Sequence, residues 1–156
     1  MLSCDELIYN ILKNEQDNGN ELLEHFHIQY PSKKVAEESN SIFVAVVSSE
    51  PSTEMLDSTE YRDLIEVLVV TKIKEYTDAV TVIKTTIREI IRILKNSTLF
   101  DVTPIIRNIS ADYNPDFVLN KGHIMVECLT EIDDITSEGQ YKKVCEILIN
   151  DIEVGW

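Results

Sequence analysis

His25 and His27 flank Phe26, and on an extended strand that spacing points both imidazoles to the same side. Together with His123 and a thiol such as Cys128, they form the kind of donor set a transition metal takes. Two features argue against it: no cysteine lies at ligand spacing beside the pair, and two of the three histidines fall in a turn or loop. Exposed polar histidines are the expectation, with no metal and no cofactor. A nucleophilic centre would need an activated Ser or Cys, a base and an oxyanion site, usually with glycines that let the backbone approach substrate. The glycines Gly19, Gly122, Gly139 and Gly155 lie in no GxSxG, GxGxxG or P-loop pattern. Carboxylate pairs such as Glu37-Glu38 and Asp133-Asp134 read as solvated surface in so acidic a chain, and the second pair lacks the ligand spacing of a calcium loop. No catalytic residue is expected.

One group stands out against the acidic background. Lys84, Arg88 and Arg92 recur every four residues, with Lys95 beyond them, and on a helix they form one polar stripe. Such a stripe is either a solvated face with cations near the helix C-terminus, or a basic edge that docks on an acidic edge of a neighbouring copy. The three residues are therefore the candidate subunit interface.

The chain has 156 residues, 28 acidic against 14 basic, and a net charge of -14. That field repels nucleic acid phosphates, because binding needs Lys and Arg to displace counterions. With 44% hydrophobic residues and few Gly or Pro, the composition is that of a folded soluble domain. Cys4, Cys128 and Cys145 are odd in number and far apart, which suits reduced thiols and no disulfide framework. Asp5 and Glu6 stand where a secretory leader carries basic residues, and Glu66, Lys72 and Arg88 interrupt the most apolar regions. No membrane association is expected, and the glycosylation triplets at Asn96 and Asn108 read as chance matches.

The elements follow from periodicity. Leu7, Ile8, Ile11 and Leu12 predict a helix over residues 3–13, and residues 21–26 suggest a short helical turn. Residues 30–41 turn polar and read as a loop. The β-branched run at 42–47 predicts a buried strand, and alternation over 61–74 predicts a long one. Between them a stretch with Pro51 and Ser52 reads as a long connection, an ordered flap or a mobile arm. Thr77 and Asp78 open the clearest helix, with Val80, Ile83, Ile87, Ile90, Ile91 and Leu94 on one face and an end near Asn96. Residues 102–110 predict a strand in which Pro104 marks a start or an edge position. Tyr113 to Asp116 is turn chemistry, and His123 to Ile132 alternates as a further strand, completing a second hairpin. Residues 141–149 fit a helix through Tyr141, Val144, Cys145 and Leu148, or a strand through Cys145, Ile147 and Ile149.

The expected fold is α+β: a mixed or antiparallel sheet of about four strands, one long amphipathic helix on one face, and an N-terminal helix. Residues 1–132 form a single domain, and 133–156 form a C-terminal extension packing on the domain or on a neighbouring subunit. The order carried by SIFVAVV, RDLIEVLVVTKIK, DAVTVIKTTIREIIRILKN, TPIIRNI and HIMVECLTEI resembles the tail terminator, or tail completion, proteins of long-tailed bacteriophages and related prophage particles. The resemblance covers residues 3–132 in element order and size, and it rests on no residue motif.

The resemblance implies a structural virion protein, assembled in the host cytoplasm. It implies a hexameric ring that ends tail-tube polymerisation and offers the head-joining surface, with the tail tube protein and a head-completion protein as partners. DNA would pass through without specific binding, since a carboxylate-lined lumen does not hold phosphates. Exposed strand edges could add to neighbouring sheets. Another neck or head-closure subunit is the near neighbour within the same class, and two other classes stay open: a small acidic α+β protein-binding module, and an enzyme with a pocket the sequence does not advertise.

Overall fold

The computed structural model describes residues 3–31, 40–54, 58–100, 102–113 and 120–133. The expected turn at Tyr113 to Asp116 and the polar loop over 30–41 fall mostly outside them, and residues 134–156 fall wholly outside, including both alternatives for 141–149.

Helix α1 spans Cys4–Asp17, with Asp5 and Glu6 in its first turn, where the N-terminal dipole favours negative charge. Its apolar stripe buries Ile8, Ile11 and Leu12. The chain leaves the helix through Gly19 at φ +89°, a left-handed conformation in which a Cβ would be strained. Gln16 then donates to the carbonyls of Leu23 and Phe26, both at 2.7 Å, which pins the turns that follow. Those turns deliver strand β1, His27–Gln29, which pairs in parallel with β2, Ser41–Glu54.

Among the described residues the sheet has five strands rather than about four, and β1 is the additional one. Three residues with a single buried apolar side chain, Ile28, carry no periodic signal, so backbone pairing to β2 defines the strand.

Strand β2 runs antiparallel to β3, Ser58–Thr71, and the region around Pro51 is strand instead of loop. Register shifts at Val46/Ser48 and Pro51/Thr53 accommodate it, the second beside the proline that has no N–H to give the ladder. Helix α2, Tyr76–Asn96, starts just before the expected Thr77, because the Glu75 carboxylate caps it by accepting from the N–H groups of Thr77 and Asp78 at 3.3 and 3.2 Å.

Strand β4, Ile105–Asp112, begins directly after Pro104, and β5, Asn120–Asp133, pairs with both β4 and β3. The order is β1-β2-β3-β5-β4, with β4 on an edge as the proline position predicts.

Both helices pack on one face of the sheet. Ile42 and Val44 of β2, Ile65, Val67 and Val69 of β3, and Ile124 and Val126 of β5 meet Ile8 and Leu12 of α1 and Ile83, Ile87, Ile90 and Leu94 of α2. Each fully buried branched side chain here contributes about 1.5–3 kcal/mol relative to exposure. Gly122 of β5 lies directly under α2, where a Cβ would stand 2.4 Å from Ile83. That close approach sets the rotation of α2 and turns the positions just after Ile83 and Ile87 outward. Among the described residues, no helix is long and apolar enough to cross a membrane.

Candidate functional site

The α2 stripe resolves into two kinds of cation. Arg92 is engaged by Glu89 one turn earlier, with its Nε 3.1 Å from a carboxylate oxygen. Asn20 holds the same carboxylate at 3.1 Å, and the Arg92 guanidinium, seconded by Asn20, keeps the Glu89 carboxyl below its ordinary range. Lys84 and Arg88 are exposed, and no described residue bonds to either. The structure thus brings the three candidates onto one face of α2, and two of them have no bonding partner among the described residues.

On the sheet face opposite the helices, which no described element covers, lies a three-membered charge cluster. Glu127 of β5 lies between Arg62 of β3, whose Nε is 2.9 Å away, and Arg107 of β4, which donates to the other carboxylate oxygen. The Glu127 side chain is 10% exposed and the two arginines 54% and 53%, so the carboxylate is enclosed while both guanidinium heads still reach solvent. The Arg107 hydrogen bond, followed by the charges of Arg107 and Arg62, holds the Glu127 carboxyl well below its ordinary value of 4.5. A cleft of about 410 Å³ opens beside this group, floored by Leu64 and Met125 and rimmed by Ser48, Glu50 and Asn108. Four residues back along β5 on the same face, His123 faces Glu66 through Nδ1 at 2.9 Å and Asp112 through Nε2 at 3.1 Å, tying β3, β5 and β4 together.

That placement separates the histidines and cysteine first considered as a metal set. His123 points to the uncovered face, and Cys128, five residues on, points to the helix-covered face of the same strand. His25 and His27 are exposed near β1, at the far edge of the sheet. Among the described residues, no group of three His, Cys, Asp or Glu side chains converges to hold a metal ion.

A third cluster lies at the start of α1. Cys4 Sγ sits 2.6 Å from Thr130 Oγ1, and the Cys128 thiol is its neighbour in the same buried cluster. The neighbouring Cys128 pulls the Cys4 thiol below its ordinary value, and the same proximity with added burial pushes Cys128 up. Thr130 and Ser49 both reach Asp63, at 3.4 and 2.5 Å. Chemically this is a pair of buried free thiols between helix and sheet, one of them hydrogen-bonded to Thr130.

The sequence alone signals the α2 stripe, but not the Glu127 cluster, whose three members come from three strands. The available clue was Glu127 between Met125 and Leu129 on one strand face; only the strand register brings Arg62 and Arg107 to it.

The fold has a counterpart among solved structures. It is similar to a chain in the virion of a native gene transfer agent particle, with a TM-score of 0.53 and 9% identity, over 80% of this chain and 94% of that one. At that identity the likeness shows a shared fold. No family model and no curated protein matches this chain.

Proposed function

We propose that this chain is a structural protein of a phage-like virion and, more specifically, the tail terminator: a ring, six-fold by the resemblance, that caps the tail tube and offers the head-joining surface. The observation that carries the reading is the shared fold with a virion chain, which extends over 94% of that chain. Two physical features support it. The net charge of -14 suits a channel through which DNA passes unbound. Lys84 and Arg88, exposed on α2 and without a partner among the described residues, give a basic edge for an acidic edge of the next subunit, as a heterologous, ring-closing contact requires. The expected partners are the tail tube and head-completion proteins, and the function involves no bond-making.

The test is negative-stain imaging of the purified chain alone and with tail tubes, beside the Lys84→Glu/Arg88→Glu variant. Rings at tube ends, lost or weakened about tenfold in the variant while its circular dichroism is unchanged, are expected. Tubes that elongate unchecked in its presence, with no ring on either sample, refute the reading. The cleft at Glu127, with two half-exposed guanidinium groups, favours a second reading as a protein-binding module. A stable monomer that captures an acidic peptide there would support it.

A further inference from the structure

We propose that Cys4 and Cys128 are a site of covalent modification, at which a small organic disulfide such as oxidised glutathione converts two free thiols into one internal disulfide that staples α1 to β5. The proposal goes beyond the virion reading and does not depend on it. Every group it uses lies among the described residues, and both thiols are free and buried.

The strand register builds one wall of the site. On β5, Cys128 and Thr130 are two residues apart and point to the helix-covered face, and Asp63 of β3 stands directly across from Cys128. The Asp63 carboxylate accepts from the Thr130 hydroxyl at 3.4 Å. The first residue of α1 supplies the other wall, with Cys4 Sγ 2.6 Å from Thr130 Oγ1 and beside the Cys128 thiol. Two sulfurs from distant parts of the chain thus share one enclosed spot, 5% and 2% exposed.

The two thiols differ in character. Cys128 chiefly, and Thr130 after it, hold the Cys4 thiol below its ordinary value despite burial and the Asp63 charge, whereas Cys4 and burial push Cys128 up. A place at the helix N-terminus favours a Cys4 thiolate in the same sense. Cys4 is therefore the attacking sulfur. The way in is the first turn of α1: Ser3 at the N-cap makes no side-chain hydrogen bond to the free N–H groups of the helix, so this turn opens more readily than a capped one.

The Cys4 thiolate attacks one sulfur of the small disulfide, forming a mixed disulfide and expelling one small thiolate. When the turn recloses, Cys128 loses its proton, attacks Cys4 Sγ and expels the second small thiolate. Two protein thiols are oxidised to one disulfide, the S–S bond of the reagent is reduced, and the two thiol protons leave on the two small thiols. Capture is slow because it waits on opening, and closure is fast because the partner is adjacent. On the virion reading, a particle made in a reducing cytoplasm and released into an oxidising exterior closes this bond after release. The bond encloses most of the described fold, and a long loop loses much of its unfolded-state freedom when closed.

The test treats the full-length Cys145→Ser chain with oxidised glutathione in native buffer and maps its sulfurs by mass spectrometry without reduction. A Cys4–Cys128 bond is expected, with two hydrogens lost per chain, no lasting glutathione adduct, and a melting temperature at least about 4 °C above that of the reduced form, reversed by dithiothreitol. With Cys128→Ser added to this background, the glutathione adduct on Cys4 should accumulate instead. The parent chain, mapped in the same way, should carry the same bond and leave Cys145 outside it. Two thiols that stay free under excess oxidant, an adduct that persists on Cys4 beside an intact Cys128, a bond that forms only in urea, a pairing with Cys145, or an oxidised form that melts no higher than the reduced one would overturn the proposal. None of these outcomes touches ring formation on tail tubes, so this proposal and the virion reading fail separately.

Discussion

Replacing Gly122 by alanine tests whether α2 sits on the sheet as described, and the expected cost can be worked from two distances. The new methyl group would stand 2.4 Å from Ile83 Cγ2 and 2.7 Å from Ile87 Cδ1. The Ile87 atom is a chain end that can swing aside. The Ile83 atom is the branch methyl of a helical isoleucine, whose χ1 is nearly fixed, so relief requires the helix to move. Overpacking of this kind costs about 1–3 kcal/mol, and removing a strand glycine returns about 0.5–1 kcal/mol. The net is roughly 0.5–2 kcal/mol of destabilisation, or a melting midpoint lower by about 1–8 °C for a domain of this size. Urea unfolding should show a lower midpoint with an unchanged slope. Ile83→Ala alone should cost about 2–5 kcal/mol through the cavity it leaves. The double variant should cost less than the sum by about 0.5–3 kcal/mol, because the added methyl fills space that Ile83 vacates. A midpoint that is unchanged or raised in Gly122→Ala, or strict additivity in the double variant, would show that α2 does not press on β5 at this point.

Two further outcomes follow from the charge and thiol clusters. Because Arg107 and Arg62 hold the folded Glu127 carboxyl below 4.5, its contribution to stability is complete above that value and is lost as pH falls through the folded value. Glu127→Gln should therefore lower stability at neutral pH and flatten the acid limb of a stability-against-pH curve; an acid limb as steep as the parent's would count against the cluster. Cys4 and Cys128 are both buried, so in a Cys145→Ser background iodoacetamide should label them on the order of a thousandfold more slowly in the folded chain than in urea. Rapid labelling of either thiol without denaturant would contradict the packing of α1 against β5.

Legibility in the sequence followed burial. Helix α2 was readable because Ile83, Ile87, Ile90 and Leu94 must all face one core, and the helical period records that demand. The inner halves of β2 and β3 were readable for the same reason. The outer half of β2 was not: beyond Val46 come Val47, which is half exposed, then Ser48, Ser49, Glu50 and Pro51, and together they bury no apolar stripe. Pairing to β3 holds that segment, and pairing leaves little trace in hydropathy. Strand β1 is the extreme case, with Ile28 as its one core residue. The candidate site divides along the same line. A stripe on one helix is a matter of local spacing, whereas Glu127 meets its arginines through the register of strands distant in the chain.

Contact through Lys84 and Arg88 is an exposed charge interaction, and salt tests it directly. Assembly should weaken as the Debye length shrinks from about 10 Å at 0.1 M salt to about 3 Å at 1 M. Lys84→Glu/Arg88→Glu should remove that slope. A parent chain whose assembly ignores salt would return Lys84 and Arg88 to the solvated surface, where cations on the exposed face of a helix more often belong.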